Sequence, residues 1–356
     1  MVTRALPDGP GGDVMPTVST VLVTGGAGFI GSHTCVELLE HGFEVVVVDD
    51  YSNSSPEVFR RAQRIAGRFL GSVHEVDLRD RQGLSAVFDR HRIDAVVHFA
   101  AKKEIGESVR RPVEYYDVNV GGTLALLSVM REHGVRRLVF SSSCSIYGEA
   151  GRVPLDESAP ARPANPYAAS KWACEQILQD VCRRLGDWSV LSLRYFNPVG
   201  AHPSGLLGEV PRGEPGNVMP YMAQVAAGRR ESLNVFGDDY ATGDGTGVRD
   251  YIHVMDVAEA HRLALEHLAD RPGMRVFNLG VGQGISVLEL VAAFRAASGR
   301  PIPYQVVDRR PGDVTELVAD PTAVARAWGW RATRDLSAMC RDAWRFQQLN
   351  PAGYAS

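Results

Sequence analysis

Val21-Leu22-Val23-Thr24-Gly25-Gly26-Ala27-Gly28-Phe29-Ile30-Gly31 is the stretch whose reading decides the fold. A short apolar strand ends at Thr24. Gly25, Gly28 and Gly31 follow at the spacing of a dinucleotide turn. Ser32 to His41 then has the apolar spacing of a helix, closed by Gly42. Glycine lets a backbone approach a pyrophosphate closely, and the helix start offers free N–H groups and a partial positive charge. The same spacing also fits a plain strand-to-helix turn, so the next strand matters. Val45-Val46-Val47-Val48 is apolar throughout and ends at Asp49 and Asp50, where the adenosine ribose of a dinucleotide would lie. A carboxylate there accepts from a 2′-hydroxyl and repels a 2′-phosphate. The repulsion is on the order of 4 kcal/mol per charge pair at ~4 Å and an effective dielectric near ~20. No basic residue follows immediately, so NAD is expected over NADP.

Outward from this unit the alternation continues. Val73 to Asp77 reads as a strand, Leu84 to His91 as a helix, and Ala95 to Phe99 as a strand. Gly122 to His133 reads as a helix, Arg137 to Phe140 as a strand ending at Ser141-Ser142-Ser143, and Ser189 to Leu193 as a further strand. Continuously apolar strands alternating with helices predict a Rossmann-type α/β fold, a doubly wound parallel sheet covered on both faces. Ligands bind at the carboxyl ends of such strands. From Asn197 to Gly247 proline, glycine and short mixed segments dominate. The expected organisation is therefore a tail over residues 1–19, an NAD-binding domain over 20–196, and a smaller substrate-binding domain over 197–356. A segment near 250–270 returns to the main body.

Tyr167 and Lys171 lie in the run Asn165-Pro166-Tyr167-Ala168-Ala169-Ser170-Lys171. Asn165 can cap a helix and Pro166 suits its first turn, so the pair stands one turn apart on one helical face. A free tyrosine titrates near pH ~10. A neighbouring ammonium and a cationic nicotinamide ring would favour its phenolate, and a shift of roughly three units needs ~4 kcal/mol. Such a pair can take a proton from an alcohol while a cofactor takes the hydride. Tyr and Lys also meet at this spacing by chance in many helices.

The whole chain narrows the classes. Its 356 residues are 45% hydrophobic and 22% charged, with a net charge of −4. With no long basic block, nucleic acid is not an expected partner. No uninterrupted apolar stretch is long enough to span a bilayer. The tail lacks the basic start and apolar middle of a signal peptide, and Met15 is an alternative start. Five cysteines without a Cys-x-x-Cys pair read as reduced thiols in the cytoplasm. Ten histidines include no His-Glu-x-x-His spacing, so no metal site is expected.

The longer motifs are more specific. Thr24 to Thr34, His98-Phe99-Ala100-Ala101-Lys102-Lys103, Ser141-Ser142-Ser143 with Tyr147-Gly148, Tyr195 to Pro203, and Gly247 to Val254 together resemble the extended short-chain dehydrogenases/reductases. Within them the similarity is to the UDP-hexose 4-epimerases, from Val21 to Tyr354. The resemblance implies a catalytic trio. Ser143 bonds the sugar O4, Tyr167 is the base, and Lys171 holds the nicotinamide ribose and lowers the tyrosine pKa. It implies interconversion of UDP-glucose and UDP-galactose through a transient 4-keto sugar, a step of galactose metabolism, in a homodimer. Tightly held NAD would be lined by Gly25, Gly28, Phe29, Ile30, Gly31, Asp49, Asp50, Tyr51, Ser52, Asn53, Ser54, Asp77 and Leu78. Phe99, Ala100, Ala101, Lys102, Lys103, Asn119 and Phe196 would complete that site. The UDP-hexose would meet Asn197, Asn217, Val218, Asn234, Val235, Phe236, Arg249, Arg310, Asp313 and Leu317. Two arginines suit a diphosphate, and Phe236 offers apolar surface to uracil.

Departures from the pattern bear on the substrate. Leu317 stands where bacterial members often carry tyrosine beside the sugar's 2-substituent, which leaves UDP-N-acetylhexosamines within range. Glu104 stands where a small apolar residue is usual. A nucleotide-sugar 4,6-dehydratase shares the scaffold but commonly needs an Asp-Glu pair after the serine, where this chain has Cys144-Ser145. A catalytically silent NAD-binding regulator is the alternative from another class, and the intact trio speaks against it.

Overall fold

The computed structural model describes residues 18–149, 151–268, 272–310 and 312–354. Most of the expected N-terminal tail, with Met15, lies outside them. Seven parallel strands form the central sheet. Their spatial order is Gly273–Leu279, Ser189–Tyr195, Arg137–Ser143, Ala95–His98, Thr20–Thr24, Glu44–Asp49, Ser72–Glu75. The fold is thus the doubly wound α/β type. Chain order reverses between Thr20–Thr24 and Ala95–His98, which pair with Thr24 opposite His98. A crevice opens beyond a reversal of this kind, because successive crossovers there leave to opposite faces of the sheet.

The strands sort their side chains by alternation. Val21, Val23, Val45, Val47, Ala95 and Val97 face one cluster, shared with Leu38 of helix Phe29–Glu40 and with Val257, Ala260 and Ala264 of helix Val254–His267. Leu22, Val46, Val48, Val96 and Leu138 face the other. There they meet Leu84, Leu126, Met130, Cys174 and Leu178 from helices Arg81–Arg90, Gly122–Glu132 and Pro166–Leu185. Each fully buried valine or leucine contributes about 1.5–3 kcal/mol over its exposed state, so register is strongly fixed on both faces.

One of the two edge strands, Gly273–Leu279, is not among the expected ones. Its first four residues are only half-buried, and Arg275 interrupts the apolar run, as suits a strand with a single neighbour. A separate apolar cluster holds Met219, Met222, Leu233, Val235, Leu290, Phe294 and Trp344. Small sheets frame it: Leu233–Phe236 with Tyr304–Val307, and Val248–Arg249 between Ile285–Ser286 and Glu316–Leu317. Among the described residues no helix is long and apolar enough to cross a membrane.

Candidate active site

The carboxyl edge of the main sheet faces the smaller lobe across a cleft of about 1490 Å³, lined from both sides. At one end lies the glycine turn. Gly25 has φ +69, and a Cβ there would stand 2.6 Å from the Ala100 nitrogen; at Gly31 it would stand 2.3 Å from the Gly25 carbonyl oxygen. No side chain could replace either glycine without moving backbone. Helix Phe29–Glu40 begins at Gly28 with no side-chain cap, so its first N–H groups are presented to the cleft. Such a cradle fits a pyrophosphate.

Asp49 closes the adjoining strand. Its carboxylate accepts from Ala27 N (2.9 Å), Tyr51 N (2.9 Å) and the Ser54 hydroxyl (2.8 Å). Burial raises its pKa, with these bonds acting the other way. Asp49 therefore organises its own 49–54 turn as well as facing the cleft. Asp50, Ser52, Asn53, Ser54, Asp77, Leu78, Phe29 and Ile30 line the same end. Tyr51 does not; its ring packs against Phe59 and the core. A cation does reach this turn, from a distant segment: Arg212 donates to the Ser52 and Ser54 carbonyls. The sequence alone offered no basic residue here.

At the centre, Asn165 caps helix Pro166–Leu185 by accepting from Ala168 N at 2.9 Å, and Gly186 closes it in the left-handed region. Ser143, Tyr167 and Lys171 all line the cleft. Lys171 is 4% exposed and donates to the Ser141 carbonyl at 2.8 Å. Burial pushes its pKa down to about 8. Burial also raises the Tyr167 pKa; Ser143 and the Lys103 ammonium oppose that, and Glu104 adds to it. In the chain alone burial wins at Tyr167, and the Lys171 ammonium is held by the Ser141 carbonyl.

Phe99, Ala100, Ala101, Lys102 and Lys103 follow the Ala95–His98 strand into the cleft. Asn119 is buried instead of lining it. Its amide bonds the Lys102 N–H (2.8 Å), the Lys102 carbonyl (3.0 Å) and the Ser170 hydroxyl (2.9 Å), so it holds the Lys102 backbone in place.

The far end belongs to the smaller lobe. Asn197, Asn217, Val218, Asn234, Phe236, Arg249, Arg310 and Asp313 line it, together with Phe196. Asn197 Oδ1 is buried with no protein partner, which marks it for a ligand donor. Arg310 pairs with Asp313 at 2.9 Å and lies 5.3 Å over the Phe236 ring. Val235 points away: strand alternation sends it into the small lobe's core while Asn234 and Phe236 face out. Leu317 is also corrected. It is 6% exposed and sits in an apolar cluster with Cys144, Leu155, Phe196 and Val314, one layer behind the cleft wall.

Sequence reasoning missed the support beneath the trio. Glu175, four residues beyond Lys171, is 2% exposed and holds Arg194 with two bonds, 3.0 and 2.6 Å. It also accepts from the Ser142 and Ser192 hydroxyls. Tyr195 and Ser141 hydrogen-bond beside Lys171. Extending the Tyr167–Lys171 spacing by one more step would have found Glu175.

The sequence matches the NAD dependent epimerase/dehydratase family over residues 21–280. It is 52% identical over 343 residues to the UDP-glucose 4-epimerase of Mus musculus, covering 94% of this chain and 99% of the mouse protein. It is likewise 52% identical over 336 residues to the UDP-glucose 4-epimerase of Bacillus subtilis, covering 94% of this chain and 99% of that one. The crystal structure of the Bifidobacterium longum UDP-glucose 4-epimerase, in complex with NAD+ and UDP, superposes with a TM-score of 0.92. That pair is 48% identical over 94% of this chain and 100% of the other.

Proposed function

The chain belongs to the NAD dependent epimerase/dehydratase family, and from that premise we propose how its own residues divide the work. It is an NAD-dependent isomerase that interconverts UDP-glucose and UDP-galactose by inverting C4. When bound, NAD accepts and returns the hydride at sugar C4. The residue roles rest on one observation: Ser143, Tyr167 and Lys171 lie in one cleft, with the glycine cradle at one end and Asn197, Arg249 and Arg310 at the other.

Tyr167 takes the proton of the 4-hydroxyl and gives it back on the return step. Ser143 holds that oxygen in line with the phenol. Lys171, fixed by the Ser141 carbonyl, presents its ammonium to the nicotinamide ribose. Arg249 and Arg310 meet the diphosphate, and the Asn197 amide meets the sugar. Because the reaction has no net redox change, a retained cofactor and a closed cleft protect the reactive ketone from water. The test is to purify the protein, measure co-purified NAD, and follow UDP-galactose conversion with no cofactor added. Tyr167→Phe is expected to keep fold and NAD while turnover falls by roughly two orders of magnitude or more. Near-normal turnover would remove Tyr167 from the base role.

Leu317, intermediate in size, packs behind Phe196 where a tyrosine would press that ring toward the sugar, and so leaves UDP-N-acetylhexosamines within range. A homodimer is supported by a row of exposed apolar side chains: Val113, Tyr116 and Leu124, three to eight positions apart along the continuous helical run 112–132, with Val109 just before it. Val113 is 80% exposed, an unusual position for valine unless a second copy covers it. Sedimentation of Val113→Glu as monomer, against a wild-type dimer, is the expected result. Five buried, unbridged thiols support a reducing cytoplasmic setting.

A further inference from the structure

The segment 208–217 crosses the cleft from the small lobe and touches both ends of the proposed cofactor site. At its start Tyr354 brackets Gly208, accepting from its N–H (3.0 Å) and donating to its carbonyl (2.7 Å). The Glu209 carboxylate accepts from Lys103 Nζ and from the Asn217 amide, each at 2.7 Å. Midway, Arg212 donates from Nη1 to the Ser52 carbonyl (3.1 Å) and from Nη2 to the Ser54 carbonyl (2.6 Å). Those carbonyls belong to the turn whose Ser54 hydroxyl donates to Asp49 at 2.8 Å. Arg212 therefore acts on the proposed ribose-binding acid through one intervening residue, and across 158 positions of sequence.

We propose that Arg212 is a positioning residue for cofactor retention: it latches the 208–217 strap onto the ribose turn and slows NAD release between turnovers. The inference rests on the NAD reading of this cleft and adds to it a residue outside the groups that touch cofactor or sugar. Two features make a latch out of what is otherwise a surface arginine. Its planar fork engages two carbonyls of one turn, which fixes the turn's shape and not only its position. The strap's other anchors lie elsewhere: Tyr354 at Gly208, Lys103 at Glu209, Arg230 at Glu214 (3.3 Å) and Arg310 at the Gly216 carbonyl (3.5 Å), so releasing Arg212 frees the ribose end while these still hold. A cofactor that must stay bound while the sugar ketone turns over gains directly from such an anchor.

The test uses the NAD-loaded full chain and exchange of bound cofactor against labelled NAD, with no sugar present. Arg212→Ala is expected to release NAD roughly ten-fold faster or more, because charge-assisted hydrogen bonds are the stronger class. Arg212→Gln, which keeps one donor, falls between. At saturating NAD both variants turn over UDP-galactose at the wild-type kcat, and the cofactor-free proteins unfold at the wild-type midpoint. Unchanged exchange rates overturn the latch, as does a shift in the cofactor-free midpoint equal to that of the loaded protein. Failure of the epimerase reading would appear separately, as absent turnover with normal exchange.

Discussion

Replacing Glu175 with glutamine removes one charge from a pair buried almost completely: the side chains of Arg194 and Glu175 are 6% and 2% exposed. The guanidinium loses two charge-assisted bonds at 3.0 and 2.6 Å, and glutamine's single carbonyl oxygen restores at most one. Tyr147 Oη (3.0 Å) and the Glu157 carbonyl (3.2 Å) remain as neutral acceptors, which cannot balance a desolvated cation. Breaking such a pair from one side costs about 3–5 kcal/mol. In a chain this long that is several degrees of melting temperature, at roughly 2 °C or a little less per kcal/mol. Glu175 lies two turns along the helix from Tyr167 and ties that helix to the Ser142 and Ser192 strands, so turnover should fall together with stability. The assay is denaturant unfolding of NAD-loaded protein, paired with kcat. The double variant Glu175→Leu, Arg194→Met removes both charges and should recover at least half of the loss, because the buried pair's attraction is largely offset by its desolvation. A single-variant loss under about 1 kcal/mol, or a double variant no better than the single, would refute the argument.

Further outcomes follow from the same geometry. Asp49 and Asp50 should make NAD bind far more tightly than NADP in a titration, and comparable affinities would overturn the discriminating role given to the two carboxylates. Lys171 is a base whose folded pKa, about 8, lies below its unfolded value of 10.5. Its burial penalty is therefore present below pH 8 and relieved as pH rises toward 10.5. Wild type should gain on the order of 3 kcal/mol relative to Lys171→Met across that window, read from unfolding curves of cofactor-free protein. Leu317→Tyr overpacks a buried cluster, costing about 1–3 kcal/mol. By pressing Phe196 toward the sugar it should penalise UDP-N-acetylgalactosamine more than UDP-galactose; equal losses on both would reject Leu317 as a size filter.

The parts of the site legible in the sequence are those carried by local rules. The glycine turn, the Asn165 cap and the Tyr167–Lys171 spacing each depend on residues within one turn of chain. The alternation of strands and helices likewise revealed six of the sheet's strands. Gly273–Leu279 escaped because an edge strand need not be apolar throughout, and Arg275 broke its pattern. Val235 was assigned to the wrong side of its strand because a motif names consecutive positions while a strand presents alternate ones. Leu317 and Asn119 were expected at the ligand, and their side chains are buried behind the cleft wall. Depth is a property of packing across distant segments, and no local spacing encodes it. Arg212, 158 residues from its partner, lay beyond any reading of neighbours.

Burial at Tyr167 bears on how the proposed base arises. From the sequence, Lys171 one helical turn away and a cationic nicotinamide ring together supply the charge that favours a phenolate. In the folded chain Lys171 is turned to the Ser141 carbonyl, and burial leaves Tyr167 a weaker acid than free tyrosine. Ser143 and Lys103 pull the other way without winning. In the proposed reading a bound nicotinamide ring would add a further positive charge beside Tyr167, acting in the same direction as Ser143 and Lys103. On that reading cofactor retention bears on the proposed base as well as on the hydride, because loss of the ring would remove one of the charges that oppose burial at Tyr167.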